Sequence, residues 1–374
     1  MAIPGTLQTY DLPTGVKLDV EDAIWLISPF DVPLQGGMGA DGRTALSVGS
    51  CFETKVEWLD EVLLTPKTTL AAQYTTTTIT TIQVAAGTGV NFQTGDVLQI
   101  DGEQVQVTAY GTTADYLIVS RGFNSTTPVA FNTGDVVIGL GSALAEGSAP
   151  PASRAVDRVD RFNRTQIFGP VGVTVTGTEQ SVQKYGLVGT EFDHQVANRI
   201  KEMAIGVEQA LINGITSAGS ATVGRTMGGF SSYITTNVDS TTTTLTDAAI
   251  LTQMQACFDA GGNPDRFMVG SKQKRVISGL DSSNIRYEQV TNARGQVVQF
   301  YDTDYGRVSI ILNRWALVNQ GFLFAREQAT LLTLRPMMFE MLAKTGDSVN
   351  GQVVAEKTLR FRRQQHSARF SALT

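Results

Sequence analysis

One six-residue string occurs twice in the chain, as Phe92-Gln93-Thr94-Gly95-Asp96-Val97 and as Phe131-Asn132-Thr133-Gly134-Asp135-Val136. Each copy places an apolar anchor before a Thr-Gly-Asp turn that feeds a β-branched run, so each reads as a turn opening a strand. The text around both copies, residues 72–145, begins with the Thr-rich run TTTTITTIQV. It alternates apolar and polar residues in Val97-Leu98-Gln99-Ile100 and in Glu103-Gln104-Val105-Gln106-Val107. Turn signals recur at short spacing, which points to a small β-barrel or sandwich. The acids of the segment are Asp96, Asp101, Glu103, Asp115 and Asp135, against Arg121 as its base. It therefore carries most of the negative charge of a chain whose formal net charge is −6, and reads as a solvated, self-contained insertion.

The flanking text is of another kind. Residues 1–50 are rich in Gly, Pro and Asp, with one short apolar stretch, Ala23 to Ile27. Pro4, Pro13, Pro29 and Pro33 break any long helix, so the segment reads as an extended arm that orders on another surface. Residues 190–214 form the clearest helix. Phe192, Val196, Ile200, Met203, Val207 and Leu211 fall on one stripe, and Gly214 stands at the C-terminal cap. Shorter helices are expected over Asp247–Ala260 and Lys272–Leu280. Strands are expected at Phe267–Val269, Val297–Tyr301, Val308–Leu312 and, as the last long one, Val353–Phe361. Helices and strands mix without strict alternation, so the class is α+β.

Catalytic, metal and cofactor constellations do not emerge. Gly219 to Thr226 has P-loop spacing, but Arg225 stands where the phosphate-binding Lys belongs, and the segment follows a helix. Ala45-Leu46-Ser47-Val48-Gly49 resembles a nucleophile elbow, yet His194 and His366 are the chain's two histidines and neither is well set as a base. Asp302-Thr303-Asp304-Tyr305-Gly306 is a fragment of a calcium loop without its distal Glu, and reads as a hairpin turn. Cys51 and Cys257 make no metal or disulfide spacing and read as free thiols of a reducing cytosol. The acidic balance argues against tight nucleic-acid binding. No signal peptide and no apolar run of membrane-spanning length are read, so synthesis in a cytoplasm is expected.

Short strings in order along the chain resemble one family, the tailed-phage major capsid proteins with the Hong Kong 97-type fold, in the branch with a β-rich insertion domain in the extended loop. Glu21-Asp22 precedes the apolar stretch, Ser28-Pro29 and Pro33, as in that family's arm. Glu57-Trp58 resembles its entry to the extended loop, and Ala145-Glu146-Gly147 with Asn163 to Phe168 resembles the loop's return. Glu208 and Gly214 sit as in its spine helix, followed by Arg225-Thr226-Met227-Gly228-Gly229. Asp302, Tyr305-Gly306, Asn313-Arg314, Leu334-Arg335-Pro336, Leu342 to Asp347, Glu356 to Leu359 and His366 complete the series. One departure is Gln364-Gln365 beside Arg362 and Arg363, where acidic or neutral residues are usual.

The resemblance implies a non-enzymatic shell subunit of the virion capsid, assembling with itself as hexamers and pentamers into an icosahedral or prolate shell around double-stranded DNA. Portal and scaffolding proteins and a decoration protein are its implied partners; no cofactor, metal or membrane is implied. It implies an N-terminal arm (1–50), extended loop and peripheral strands (51–71 and 146–187), the insertion domain (72–145), spine helix and peripheral domain (188–229), axial domain (230–335) and peripheral return with the C-terminus (336–374). Candidate inter-subunit contacts are Glu21, Asp22, Glu57, Trp58, Arg335, Lys344, Arg362 and Arg363. Opposite charge at the two ends supports this choice. Residues 352–374 hold Lys357, Arg360, Arg362, Arg363 and Arg369 against Glu356, while Asp11, Asp19, Glu21 and Asp22 face Lys17 near the start. The arm lies almost at the first residue, which gives no expectation of a fused scaffolding domain. The competing readings are an encapsulin-type nanocompartment shell, which shares the fold, and a β-rich surface-binding protein.

Overall fold

The computed structural model describes residues 28–36, 44–61, 63–144, 146–147, 158–184, 189–280, 300–344 and 346–374. The N-terminal candidates Glu21 and Asp22 lie outside the described residues. The first strands are β1 (Ser47–Ser50), β2 (Lys55–Glu61), β3 (Lys67–Thr69), β4 (Thr81–Gln83), β5 (Asp96–Ile100), β6 (Glu103–Tyr110), β7 (Tyr116–Ser120) and β8 (Val136–Ser142). Then come β9 (Arg158–Arg164), β10 (Gln166–Thr176), α1 (Gly177–Ser181), α2 (Glu191–Asn213), α3 (Phe230–Tyr233), β11 (Asn237–Asp239) and α4 (Asp247–Asp259). The remainder is β12 (Arg266–Val269), α5 (Ser271–Ser278), β13 (Phe300–Thr303), β14 (Gly306–Leu312), β15 (Gly321–Phe324), β16 (Ala329–Met341), β17 (Ser348–Phe361) and β18 (Ala368–Phe370). The chain divides into two compact units, Leu59–Asp160 and the remainder, Met1–Trp58 with Arg161–Thr374.

The Leu59–Asp160 unit is a six-stranded sheet in the order β3-β8-β5-β6-β7-β4. A bridge between Leu70 and Val84 ties the chain just beyond its two outermost strands. Its core is drawn wholly from residues 70–137, with Leu98, Ile100, Val105 and Leu117 among its fully buried members. The repeated string builds the same corner twice. Phe92 and Phe131 are both fully buried. Gly95 and Gly134 take φ of 94° and 90°, a conformation that favours glycine. The Asp closing each turn accepts the amide three residues back, Gln93 N to Asp96 at 2.7 Å and Asn132 N to Asp135 at 2.6 Å.

The unit's polar centre is a buried ion pair. Glu103 accepts Arg121 Nε at 2.8 Å and Nη2 at 2.6 Å, and also the amides of Gly122 and Val129, both at 2.9 Å. Arg121 lies over the Phe131 ring, 4.2 Å from its centroid. Burial alone would raise the Glu103 carboxyl, but these hydrogen bonds outweigh it and hold the group below its ordinary value. The compact unit is wider than the expected 72–145, because β3 and the chain on either side belong with it.

Among the described residues the larger unit holds a four-stranded and a six-stranded sheet, besides its share of the β2–β9 pair. One has the order β1-β16-β17-β10, the other β11-β18-β15-β12-β14-β13. The long helix expected over 190–214 is α2. Thr190 caps it by accepting Asp193 N at 3.2 Å, and Glu191 and Asp193 sit in the first turn, where the helix dipole favours acids. Phe192, Met203, Val207 and Leu211 of the expected stripe are buried, whereas Ile200 is 37% exposed. Gly214 ends the helix for lack of space: a Cβ there would meet the Ala210 and Met227 carbonyl oxygens at 2.5 Å. The main core packs α2 against β10 and β17 and reaches from Leu34 to Phe361. A second core lies under α4 and α5, around Met254, Cys257, Phe267 and Ile277.

Two strands differ from the sequence reading. β16 was not expected, because Arg335-Pro336 interrupts its pattern. The ladder with β17 absorbs that interruption as register shifts on either side of Arg335, since Pro has no N–H to give. Val353–Phe361 falls within β17, the last long strand as read, but the short strand after it was not foreseen. β18 follows and pairs with β15 and β11, so the stretch 336–374 serves both sheets.

Candidate inter-subunit surfaces

The segments with catalytic-like spacing make the following contacts. Ser217 and Thr226 bridge across the P-loop-like segment. Arg225 turns inward, where its guanidinium pairs with Glu356 and its Nε donates to Thr165 O at 2.9 Å. Asp302 begins the β13–β14 hairpin and pairs with Arg307 Nε at 2.7 Å. His194 lies beside Asn198 on α2 at 3.2 Å. Ser47 starts β1, and its Oγ donates to Arg326 O at 3.3 Å. Among the described residues no group of three His, Cys, Asp or Glu could hold a metal, and no helix is long and apolar enough to cross a membrane.

The candidate contact residues divide into inward and outward sets. Trp58 is 8% exposed, its ring 5.9 Å from that of Tyr233. Arg335 reaches Glu356 at 3.1 Å with half its side chain still exposed. Glu356 is the hub of that region: its buried carboxyl takes Arg225, Arg335 and Thr165 Oγ1, the last at 2.6 Å. Burial would raise the Glu356 carboxyl; the bonds from Thr165 and the two arginines hold it below the ordinary value. Glu57 is exposed and pairs with Lys55 on its own strand. Lys344 is exposed, 3.8 Å from Asp347. Arg362 and Arg363 are exposed after β17, Arg363 with φ of 49°. Of the other C-terminal bases, Arg369 donates to Ser231 O and Lys357 reaches Gln35 Oε1 at 3.4 Å.

Sequence reasoning missed the apolar surface. Phe52 is 94% exposed, Ile215 74%, Met341 68% and Val48 67%. On β8 the outward residues Val136, Ile138 and Leu140 make a stripe beside Lys67 of β3 and Gln99 of β5. The signal for that stripe was the unbroken run Val136-Val137-Ile138. Such a run reads as a strand covered on both faces, but only its Val137 side is covered by the unit's own core. Strand edges are also open. Beyond Thr333, β16 has β17 as its one strand partner among the described residues, and β10 stands at the other margin of the same sheet. Open edges and large exposed side chains are the features that association with further chains covers.

Charge separates the units. Leu59–Asp160 holds ten acidic and four basic residues, so it carries the whole formal charge of −6 and the remainder of the chain is balanced.

Comparison with known proteins identifies the family. In fold, the chain is similar to one from Mycobacterium phage Cain, with a TM-score of 0.52 at 9% identity over 99% of each chain. It is also similar to the capsid of a native GTA particle, with a TM-score of 0.50 at 8% identity over 96% of each. No curated protein matches it significantly. The family model described as SU10 major capsid protein matches residues 5–374. The chain therefore belongs to the SU10 major capsid protein family and is a shell-forming phage capsid protein, built to assemble with many copies of itself.

Proposed function

We propose that the chain is a purely structural subunit, without enzymatic activity, that closes as hexamers and pentamers into the shell around a phage double-stranded DNA genome. The observation that carries this is the uneven finish of the larger unit. Its interior is densely packed, yet among the described residues its four-stranded sheet ends without a strand partner at β10 and beyond Thr333 of β16, and apolar side chains stand out at Phe52 and Met341. In this reading the β1-β16-β17-β10 sheet with α2 is the peripheral domain, and the six-stranded sheet with α4 and α5 is the axial domain. The β2–β9 pair is the root of the extended loop. Glu57, Lys344, Arg362 and Arg363 sit where a neighbouring copy meets them; Trp58 and Arg335 hold the contact surface in shape from within. Exposed ion pairs give only about 0–1 kcal/mol each, but a closed shell repeats them in every subunit.

The Leu59–Asp160 unit is, in this reading, the inserted domain, a small barrel closed at Leu70 and Val84. Its acidity suits solvent better than a surface against packed DNA. Portal and scaffolding proteins, and a decoration protein, are the further partners this reading assigns, with synthesis in the host cytoplasm. Replacing residues 76–144 with a short Gly/Ser linker tests the assignment. The remaining chain is expected to fold and assemble into shells of lower heat stability. Failure of the remainder to fold would overturn the insertion reading.

A further inference from the structure

Residues 31–36 form a turn seated on the larger unit. Leu34 is its apolar anchor, 1% exposed within the main core. Trp315 Nε1 donates to Asp31 O at 2.7 Å, and Arg314 stands 3.6 Å from the Asp31 carboxylate at the mouth of the seat. At its floor is Glu208 of α2, fully buried. Glu208 Oε1 accepts Leu34 N and Asn313 Nδ2, both at 2.8 Å, and Oε2 accepts Gln35 Nε2 at 3.2 Å. The same Gln35 amide donates to Ala204 O at 2.7 Å, while its Oε1 accepts Lys357 Nζ at 3.4 Å. One carboxyl thus joins the turn, the long helix and the loop after β14.

The setting differs from that of two other buried carboxyls, Glu103 and Glu356, while the buried Asp96 also takes neutral donors, Gln93 N and Ser142 Oγ. Glu103 and Glu356 each hold a guanidinium. The hydrogen-bond donors of Glu208 among the described residues are all neutral. A carboxylate without a directly bonded cation is costly to bury, and the ordinary response is to keep a proton. We propose that the Glu208 carboxyl is a proton-dependent latch, which holds the 31–36 turn closed when protonated and loosens it on losing the proton. Burial pushes this carboxyl up to about 7, with the bonds from Leu34, Gln35 and Asn313 opposing only in part.

The sign follows from linkage. In the closed seat the proton is held with a value of about 7; in an open, hydrated seat the carboxyl returns toward its ordinary 4.5. Opening therefore releases a proton and is favoured by rising pH, by up to about tenfold per pH unit between those values, and levels off above them. The other charged groups facing the seat are Asp31 and Arg314 at its mouth and Lys357 behind Gln35. Burial also holds the Lys357 ammonium below its ordinary value, so a Lys357→Met variant separates its titration from that of Glu208. The latch rests on contacts within one subunit. Its consequence, control of how firmly the root of the N-terminal arm is held, rests on the shell reading above.

Hydrogen exchange of the full-length chain, followed by mass spectrometry on the peptide containing Leu34 and Gln35, tests the latch. After correction for the intrinsic rate, opening in the wild type is expected to rise about sevenfold between about pH 5.5 and 6.5 and to change less than about twofold between 8 and 9. Glu208→Gln is expected to remove that rise, Lys357→Met to retain it, and the α5 peptide to show none. A flat profile in the wild type would overturn the latch even if Glu208→Gln does not fold, as would the same slope in wild type and Glu208→Gln. Because exchange is read whether or not shells form, failure of the latch and failure of the shell reading are distinguishable.

Discussion

The two compact units solve the same problem in opposite ways. Leu59–Asp160 is built locally: among the described residues its core comes from 70–137, its buried ion pair joins Glu103 to Arg121, and its corner is built twice from one string. The larger unit gathers its main core from Leu34 through Phe361 and fastens its sheet with the Glu356 hub, whose partners are Thr165, Arg225 and Arg335. It still leaves edges open. Local construction gives the first unit its own core; in the reading proposed above, long-range construction leaves a frame for neighbouring copies to finish. The charge division runs the same way, with −6 on the first unit and balance on the second.

That contrast breaks most visibly under large perturbations of each core. Arg121→Ala leaves Glu103 buried and unpaired, an expected loss of about 3–5 kcal/mol to the first unit. Calorimetry should show its transition fall while that of the larger unit holds. Phe230→Ala is the mirror experiment. The Phe230 ring lies 4.8 Å from Phe324, 5.3 Å from Phe361 and 6.0 Å from Phe322, so its removal costs about 3–5 kcal/mol, confined to the larger unit. If either variant lowers both transitions equally, the units are not energetically separate.

Smaller changes sharpen the comparison. Ala at Gly95 or Gly134 forces a left-handed backbone on a residue with a side chain, at about 1–2 kcal/mol. Gly95→Ala should cost more, since its Cβ would meet Leu144 Cδ2 at 2.5 Å, whereas nothing lies within 4 Å at Gly134. Equal losses in urea titrations would mean that the two corners are interchangeable. In acid both units should weaken. Glu103 and Glu356 are held below their ordinary 4.5, so their stabilisation is present above that value and lost as pH falls through the folded ones. Glu356→Gln should flatten this acid loss in the larger unit only. Smallest is Glu57→Ala. Its pair with Lys55 is exposed, so the isolated chain should lose under about 1 kcal/mol, and an assembly defect in that variant would report a neighbouring copy.

Legibility from sequence followed the same division. The first unit was readable because its strands alternate and its turns carry Gly-Asp, signals local to a few residues. Helix α2 was readable from its apolar stripe, and α2 and α4 begin at Thr190 and Thr246, whose side chains cap them. β16 was not, since Pro336 sits in a register shift that only the partner strand reveals. Nor was the short β18, whose burial depends on β11 and β15 from far upstream. Of the candidate contacts, Glu57, Lys344, Arg362 and Arg363 stand at the surface. Trp58 and Arg335 turn to Tyr233 and Glu356, partners remote in sequence. The exposed apolar stripe of β8 passed unnoticed because its residue types are those of a covered strand.

The central claim is that copies of this chain complete one another's open edges to form a closed shell. Electron microscopy of the purified full-length chain, alone and produced together with a scaffolding protein, tests it most directly. The expected result is uniform closed particles whose surface resolves into rings of six and five subunits. A stable monomer that persists at high concentration, with the scaffold present as well as without it, would contradict the account.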